Sequence, residues 1–212
     1  MITALALFAA AQTVNLHPTD DIWVYGFAAD QASDPFLRCW GSDGKAVGDE
    51  NIGDAGSWSV MKFDISKLPA SKLTSAELTL YFVPNPNIDE ELGKKFPIQI
   101  RSVTPNFSEN SFKFENASTI RPKSGKESII ATSPVAMYAN ASGPTKITIK
   151  LGSEDSKFMA ALQDARKTSN KELAFALTSA LTPDEAGESL IYKCYSTNSE
   201  EATKPTLTLN FE

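Results

Sequence analysis

A single histidine, His17, stands in 212 residues, and any catalytic arrangement built on a histidine would have to pass through it. A Ser-His-Asp or Cys-His arrangement needs a base beside a nucleophile. His17 falls in the first predicted strand with no G-x-S-x-G motif for company, so a surface or edge histidine is expected. Cysteine is almost as scarce. Cys39 and Cys194 form no CxxC or Cys/His spacing, so no structural zinc site is expected. They fit either a buried thiol pair or one disulfide. Neither a G-x-x-x-x-G-K nor a G-x-G-x-x-G loop occurs, which removes the usual phosphate cradles. Basic clusters are missing too: 20 Lys and Arg are scattered against 26 Asp and Glu, for a net charge of −6. Nucleic-acid binding needs the opposite balance. No apolar run is long enough to span a bilayer, so membrane insertion is not expected.

What remains is an ordinary globular composition, 42% apolar and 22% charged, in a chain long enough for one substantial core. The first residues, MITALALFAAAQ, are uncharged and end in small side chains. They read as a secretory signal over residues 1–11 with cleavage near Ala11–Gln12, leaving a single domain over 12–212 that is secreted or displayed at a cell surface.

Alternation of apolar and polar residues dominates the rest. In Ser57–Pro84 it runs through Trp58–Phe63, breaks at Asp64–Pro69, and resumes from Ser75 to Val83, predicting two long strands at the centre of one sheet. Shorter strands are expected over Thr13–Phe27 (interrupted at Asp20-Asp21), Phe36–Trp40, Ile98–Val103, Ile129–Met137, Thr145–Leu151, Leu173–Thr178, Leu190–Tyr195 and Pro205–Phe211. One helix is expected, Ser153–Thr168, with Ser153 as N-cap and Phe158, Ala161, Leu162 and Ala165 as its apolar stripe. Pro84–Pro97 reads as a connector, and Phe107, Phe112 and Phe114 as plugs over one end of the fold. The acids of the glycine-rich loop Gly41–Gly56, namely Asp43, Asp49, Glu50 and Asp54, are hard oxygen ligands that could hold a structural calcium ion. Their spacing does not match a helix-flanked calcium loop, and a solvated acidic loop is the reading preferred.

Several segments, in order, resemble the DNRLRE domain family of secreted carbohydrate-binding-type β-sandwiches. KFDISKLP followed by TSAELTLYF is similar to its central signature, and TVNLHPTDDIWV to its first strand and aspartate, here Asp21. SDPFLRCWGSDG resembles its second strand. IQIRSVTPNFSENSFKFENAS is similar to a further strand and a W-S-E…T-W segment, with Phe107 and Phe114 where tryptophans are usual. KITIKLGSEDSKFMAALQ and IYKCYSTNSEEATKPTLTLNF resemble the family's helix region and last strands, so the resemblance covers Thr13 to Phe211. It implies an all-β, two-sheet antiparallel sandwich of jelly-roll type with one short helix.

The resemblance also implies glycan binding, in some members beside enzymes that degrade acidic polysaccharides such as alginate. The family's closing S-R-E is here Ser196-Thr197-Asn198, without the arginine and glutamate; with the acidic net charge, a neutral or weakly charged glycan is expected. Stacking candidates are Trp23, Tyr25, Trp40, Trp58 and Tyr195, because sugar CH faces pack on aromatic rings. With Leu37, Cys39 and Cys194 inward, Arg38, Trp40, Lys193 and Tyr195 point outward, and Trp58 and Lys62 are expected beside them as the ligand-binding face. The same strand pairing would bring Cys39 and Cys194 close enough for a disulfide. The expected function is therefore a secreted, non-catalytic module recognising a polysaccharide. Its rivals are a structural or adhesive cell-surface domain with a protein partner and, third, a polysaccharide-active enzyme using paired carboxylates.

Overall fold

The longest alternating run in the chain, strand β5 (Leu73–Phe82), lies inside one of two antiparallel sheets in the computed structural model. Leu73, Ala76, Leu78, Leu80 and Phe82 are buried, while the residues between them stay half exposed, as a strand with one covered face requires. The structure describes residues 11–26, 31–42, 56–123, 125–136, 143–153, 156–182 and 190–212. The signal reading of residues 1–11 falls almost wholly outside them, and the calcium reading of Asp43, Asp49, Glu50 and Asp54 falls outside them entirely.

Beside β5 on one flank runs β8 (Thr145–Gly152). On its other flank β11 (Thr206–Phe211) pairs with the first part of β5, and β1 (Gln12–Leu16) adds to β11. Toward Phe82 that flank is taken by β10 (Tyr192–Tyr195), followed by β3 (Phe36–Cys39). The second sheet is five-stranded in the order β2 (Asp20–Val24), β4 (Trp58–Asp64), β9 (Glu172–Thr178), β6 (Ile98–Ser102) and β7 (Ile129–Ser133). The protein is an all-β, two-sheet antiparallel sandwich whose chain passes repeatedly from one sheet to the other, as in a jelly roll.

Two expectations about strands are corrected. β4 and β5 do not share a sheet: β4 is flanked by β2 and β9, and β5 by β8 and β11, so neither has a free edge for the other. Their connector carries Ile65 and Leu68 into the space between the sheets and arches across the end of the sandwich. The Thr13–Phe27 strand is likewise two. Its break falls at His17-Pro18-Thr19, ahead of Asp20-Asp21, because Pro18 has no N–H for a ladder, and the two halves go to different sheets.

There are two apolar layers. The larger lies between the sheets and includes Met61, Phe63, Leu78, Phe82, Phe158, Phe175 and Leu209. The smaller covers the outer face of the five-stranded sheet, where Ile22, Val24, Trp58, Val60 and Ala176 pack under Ala117 and Ile120, with Val103, Phe107 and Phe112 at the margin. The covering chain is a run of 3-10 turns over Phe114–Ile120 and the segment before it. Phe107 and Phe112 are thus packed on a sheet face and do not plug an end, while Phe114 is 40% exposed.

Helix α2 (Lys157–Lys167) starts later than expected. Ser156, not Ser153, is its N-cap, with Oγ accepting from Met159 N at 3.2 Å. The carbonyl of Ser153 is occupied by a preceding turn that receives Ser156 N and Oγ. Phe158, Leu162 and Ala165 face the core as the stripe predicts. A second short helix, α1 (Glu90–Lys95), was not expected in the Pro84–Pro97 connector; Asp89 caps it through Leu92 N at 2.8 Å. Gly93 in α1 lies against β7's continuation so closely that a Cβ there would sit 2.0 Å from the Val135 carbonyl oxygen. Among the described residues no helix is long and apolar enough to cross a membrane.

Candidate functional site

The pairing of β3 with β10 sets the geometry of the expected face. Arg38 is opposite Lys193 and Phe36 opposite Tyr195, while Leu37 meets Cys194 and Cys39 meets Tyr192. Since successive side chains alternate, Leu37, Cys39, Tyr192 and Cys194 turn inward, each at most 1% exposed. Phe36, Arg38, Lys193 and Tyr195 turn outward and remain half-buried. Three of the six expected residues, Arg38, Lys193 and Tyr195, are therefore neighbours. Phe36, absent from the expected six, completes the group; its place two residues before Arg38 puts it on the same side of the strand.

The face is an aromatic surface with cations laid on it. The Phe36 and Tyr195 rings are 5.2 Å apart and inclined by 55°, and Lys193 Nζ lies 3.9 Å from the Phe36 centroid. Partial burial, and then Arg38, pull the Lys193 amine below its ordinary range, against Asp34. Arg38 forms a close ion pair with Asp34, and its guanidinium stacks 4.5 Å from the Trp23 ring. Asp34 also accepts from Trp23 Nε1 at 3.0 Å. Its charge offsets that of Arg38, leaving Lys193 as the cation on this face without an ion-pair partner among the described residues.

Trp40 differs from expectation. It is only 9% exposed, because backbone bonds with Ser57 (2.9 and 3.2 Å) draw the end of β3 onto β4 across the sandwich edge. Its ring then packs 5.0 Å from Tyr25 and 6.3 Å from Trp23, and Trp23 stacks on Tyr25 at 5.8 Å. Trp40 and Trp23 thus form the structural floor beside the face, and only Tyr25 of this trio is half exposed.

Trp58 and Lys62 are not beside the others at all. Both are on the five-stranded sheet, on its outer side as alternation requires, but that side is covered by the 103–120 segment. Trp58 is 1% exposed and donates to Ile120 O at 3.3 Å. Lys62, 7% exposed, donates to Phe107 O at 2.6 Å and pairs with Asp20 (3.1 Å) and Glu172 (3.5 Å). The expected disulfide is also corrected: both thiols are free. Cys39 and Cys194 are diagonal, not opposite, in the ladder, a separation of about 7–8 Å between backbones where a disulfide needs roughly 4.4–6.8 Å. Burial pushes both thiols well above their usual range.

Asp21 has a role that the sequence motif did not reveal. It is 1% exposed and accepts from Thr197 N (2.9 Å) and Thr197 Oγ1 (2.8 Å). Asn198 Nδ2 reaches Glu109 Oε1 at 2.7 Å, and Ser196 Oγ donates to Asp34 O at 2.8 Å. Ser196-Thr197-Asn198 is therefore a clasp that ties the end of β10 to β2 and to the covering segment. Burial pushes the Asp21 carboxyl up to about 7, outweighing the two Thr197 bonds that favour its ionised form.

His17 donates from Nδ1 to the Pro205 carbonyl oxygen at 2.9 Å, with Thr206 Oγ1 3.5 Å from the same nitrogen, and Glu201 lies 3.6 Å from Nε2. Among the described residues no three His, Cys, Asp or Glu side chains group as a metal site. No family model matches the chain, and no curated protein matches it.

Proposed function

We propose that this protein is a secreted, non-catalytic carbohydrate-binding module whose ligand, a neutral polysaccharide, lies across the outer face of β3 and β10. The observation that carries this reading is the half-buried ring pair of Phe36 and Tyr195, flanked by Arg38 and Lys193. A pyranose presents an apolar CH face and a rim of hydroxyls, which matches rings for stacking and fixed donors for hydrogen bonds. With Arg38 offset by Asp34, Lys193 is the one cation left on the face, which suits a neutral or weakly charged chain better than a densely charged polyanion. The resemblance to DNRLRE domains points the same way.

A panel of immobilised polysaccharides tests it. The wild type should bind at least one neutral member with micromolar to millimolar affinity, the range expected for a shallow face. Tyr195→Ala and Phe36→Ala should each weaken that binding roughly tenfold, equivalent to about 1.4 kcal/mol, with the fold intact by circular dichroism. Binding to none of the panel would overturn the reading in favour of an adhesive or spacer domain with a protein partner.

A further inference from the structure

A second place on the molecule has saccharide-like complementarity and shares no residue with the β3–β10 face. Between the covering segment and the 168–170 turn from α2 into β9 lies an open cleft of about 760 Å³. That is within the roughly 300–1,000 Å³ of small-molecule sites. Nine of its fourteen lining side chains are hydroxyls or amides, so hydrogen bonding and not apolar burial sets its chemistry. Among the described residues the side chains of Asn106, Ser111 and Asn116 make no hydrogen bond within the protein. Asn170 uses only Oδ1, accepting from Ser169, and keeps its NH₂ free. Phe107 and Phe112, both half exposed, add ring surface to the wall.

The charges in the wall are one ammonium and one carboxylate, Lys62 and Glu172, paired with each other at 3.5 Å. Lys62 has no donor to spare. Its three N–H groups are matched by Phe107 O, Asp20 and Glu172, so it offers nothing to an anionic ligand. Free amides and hydroxyls, two ring edges and an electroneutral wall together describe a site for a ligand with many hydroxyls and no charge.

We propose that this cleft is a second binding site, for a neutral oligosaccharide. In ligand class it rests on the glycan-binding reading; in residues it is independent of it. The test uses the isotopically labelled full chain and three neutral hexasaccharides (β-1,4-glucan, β-1,4-mannan and β-1,4-xylan), with a galacturonate hexamer as the acidic comparator. At least one neutral hexamer should shift the backbone amide resonances of residues 104–119 and 168–172, and the galacturonate should bind at least tenfold more weakly. The double variant Asn116→Ala, Asn170→Ala, whose side chains are exposed, should bind roughly tenfold more weakly through this cleft with an unchanged melting temperature. Tyr195→Ala should leave the cleft shifts as they are. Absence of cleft shifts with every neutral hexamer overturns the proposal, as does equal binding of the galacturonate. Undiminished binding by the double variant, or loss of the cleft shifts in Tyr195→Ala, overturns it as well. Cleft shifts without any effect at Phe36 or Tyr195 would retain this site and refute the β3–β10 face.

Discussion

Removing the proton from Asp21 should destabilise the folded state as pH rises toward neutral. Its carboxyl is buried at the junction of β2 with the Ser196–Asn198 clasp, and its folded pKa is raised from 3.8 to about 7. Below pH 3.8 both the folded and unfolded chains hold the proton, and the full stability is present. Between those values the unfolded chain releases the proton and the folded chain keeps it, so stability falls as pH rises, by up to about 1.4 kcal/mol per pH unit. Above about 7 the loss levels off, at about 4 kcal/mol in total. That is a large part of the 5–15 kcal/mol typical of a domain. Asp21→Asn isolates the effect. The amide stays neutral at every pH, its carbonyl can accept Thr197 N–H, and its NH₂ can donate to Thr197 Oγ1. Chemical denaturation at pH 4.5, 6 and 8 should therefore show the wild type losing several kcal/mol relative to the variant, with the variant more stable at pH 8. Asp21→Ala, by contrast, strands the Thr197 N–H and should be destabilised by about 1–3 kcal/mol even where the wild type is protonated. Parallel stability curves for the wild type and Asp21→Asn would refute the reasoning. They would mean that Thr197 holds the carboxylate ionised in the folded protein.

Gly93→Ala should destabilise although Ala is the better helix former, because its Cβ would sit 2.0 Å from the Val135 carbonyl; a higher melting temperature would contradict the packing. Trp58→Ala should cost about 3–5 kcal/mol by denaturation and leave polysaccharide binding at the β3–β10 face unchanged, since Trp58 belongs to the smaller apolar layer. Alkylation of native protein should modify neither Cys39 nor Cys194, and alkylation after unfolding without reductant should modify both; an unalkylated chain lighter by two hydrogens would show a disulfide.

The strands themselves were legible because alternation is a local signal: β5, β8, β9 and β11 lie within two residues of their expected bounds. Which sheet each strand joins was not legible, since β4 and β5 read alike however they are paired. Face assignment followed the same division. Alternation placed Arg38, Lys193 and Tyr195 correctly outward, and it also placed Trp58 and Lys62 on the outer side of their sheet. It could not say that a chain segment some forty residues on would cover that side, because the contacts of Ile120 and Phe107 with β4 are long-range. The α1 helix was missed because six residues between prolines give too short a period to register, and its Asp89 cap with Glu90 and Lys94 was the available cue. Cys39 and Cys194 were correctly placed inward on neighbouring strands, but strand alternation carries no register, and register decided against the bond.

The bridge between Trp40 and Ser57 has a spectroscopic consequence. It gathers the whole tryptophan complement, Trp23, Trp40 and Trp58, at the single corner where β2, β3 and β4 converge, each no more than 9% exposed. Folded emission should be blue-shifted, partly quenched by neighbouring groups, and blind to the far ends of the sandwich. Intensity changes during unfolding would then time the opening of that one seam, whereas far-ultraviolet dichroism would follow the ladders everywhere else. If the seam yields before the sheets do, the two signals will separate along the denaturant axis, and the molecule will have revealed its weakest join without any label being attached.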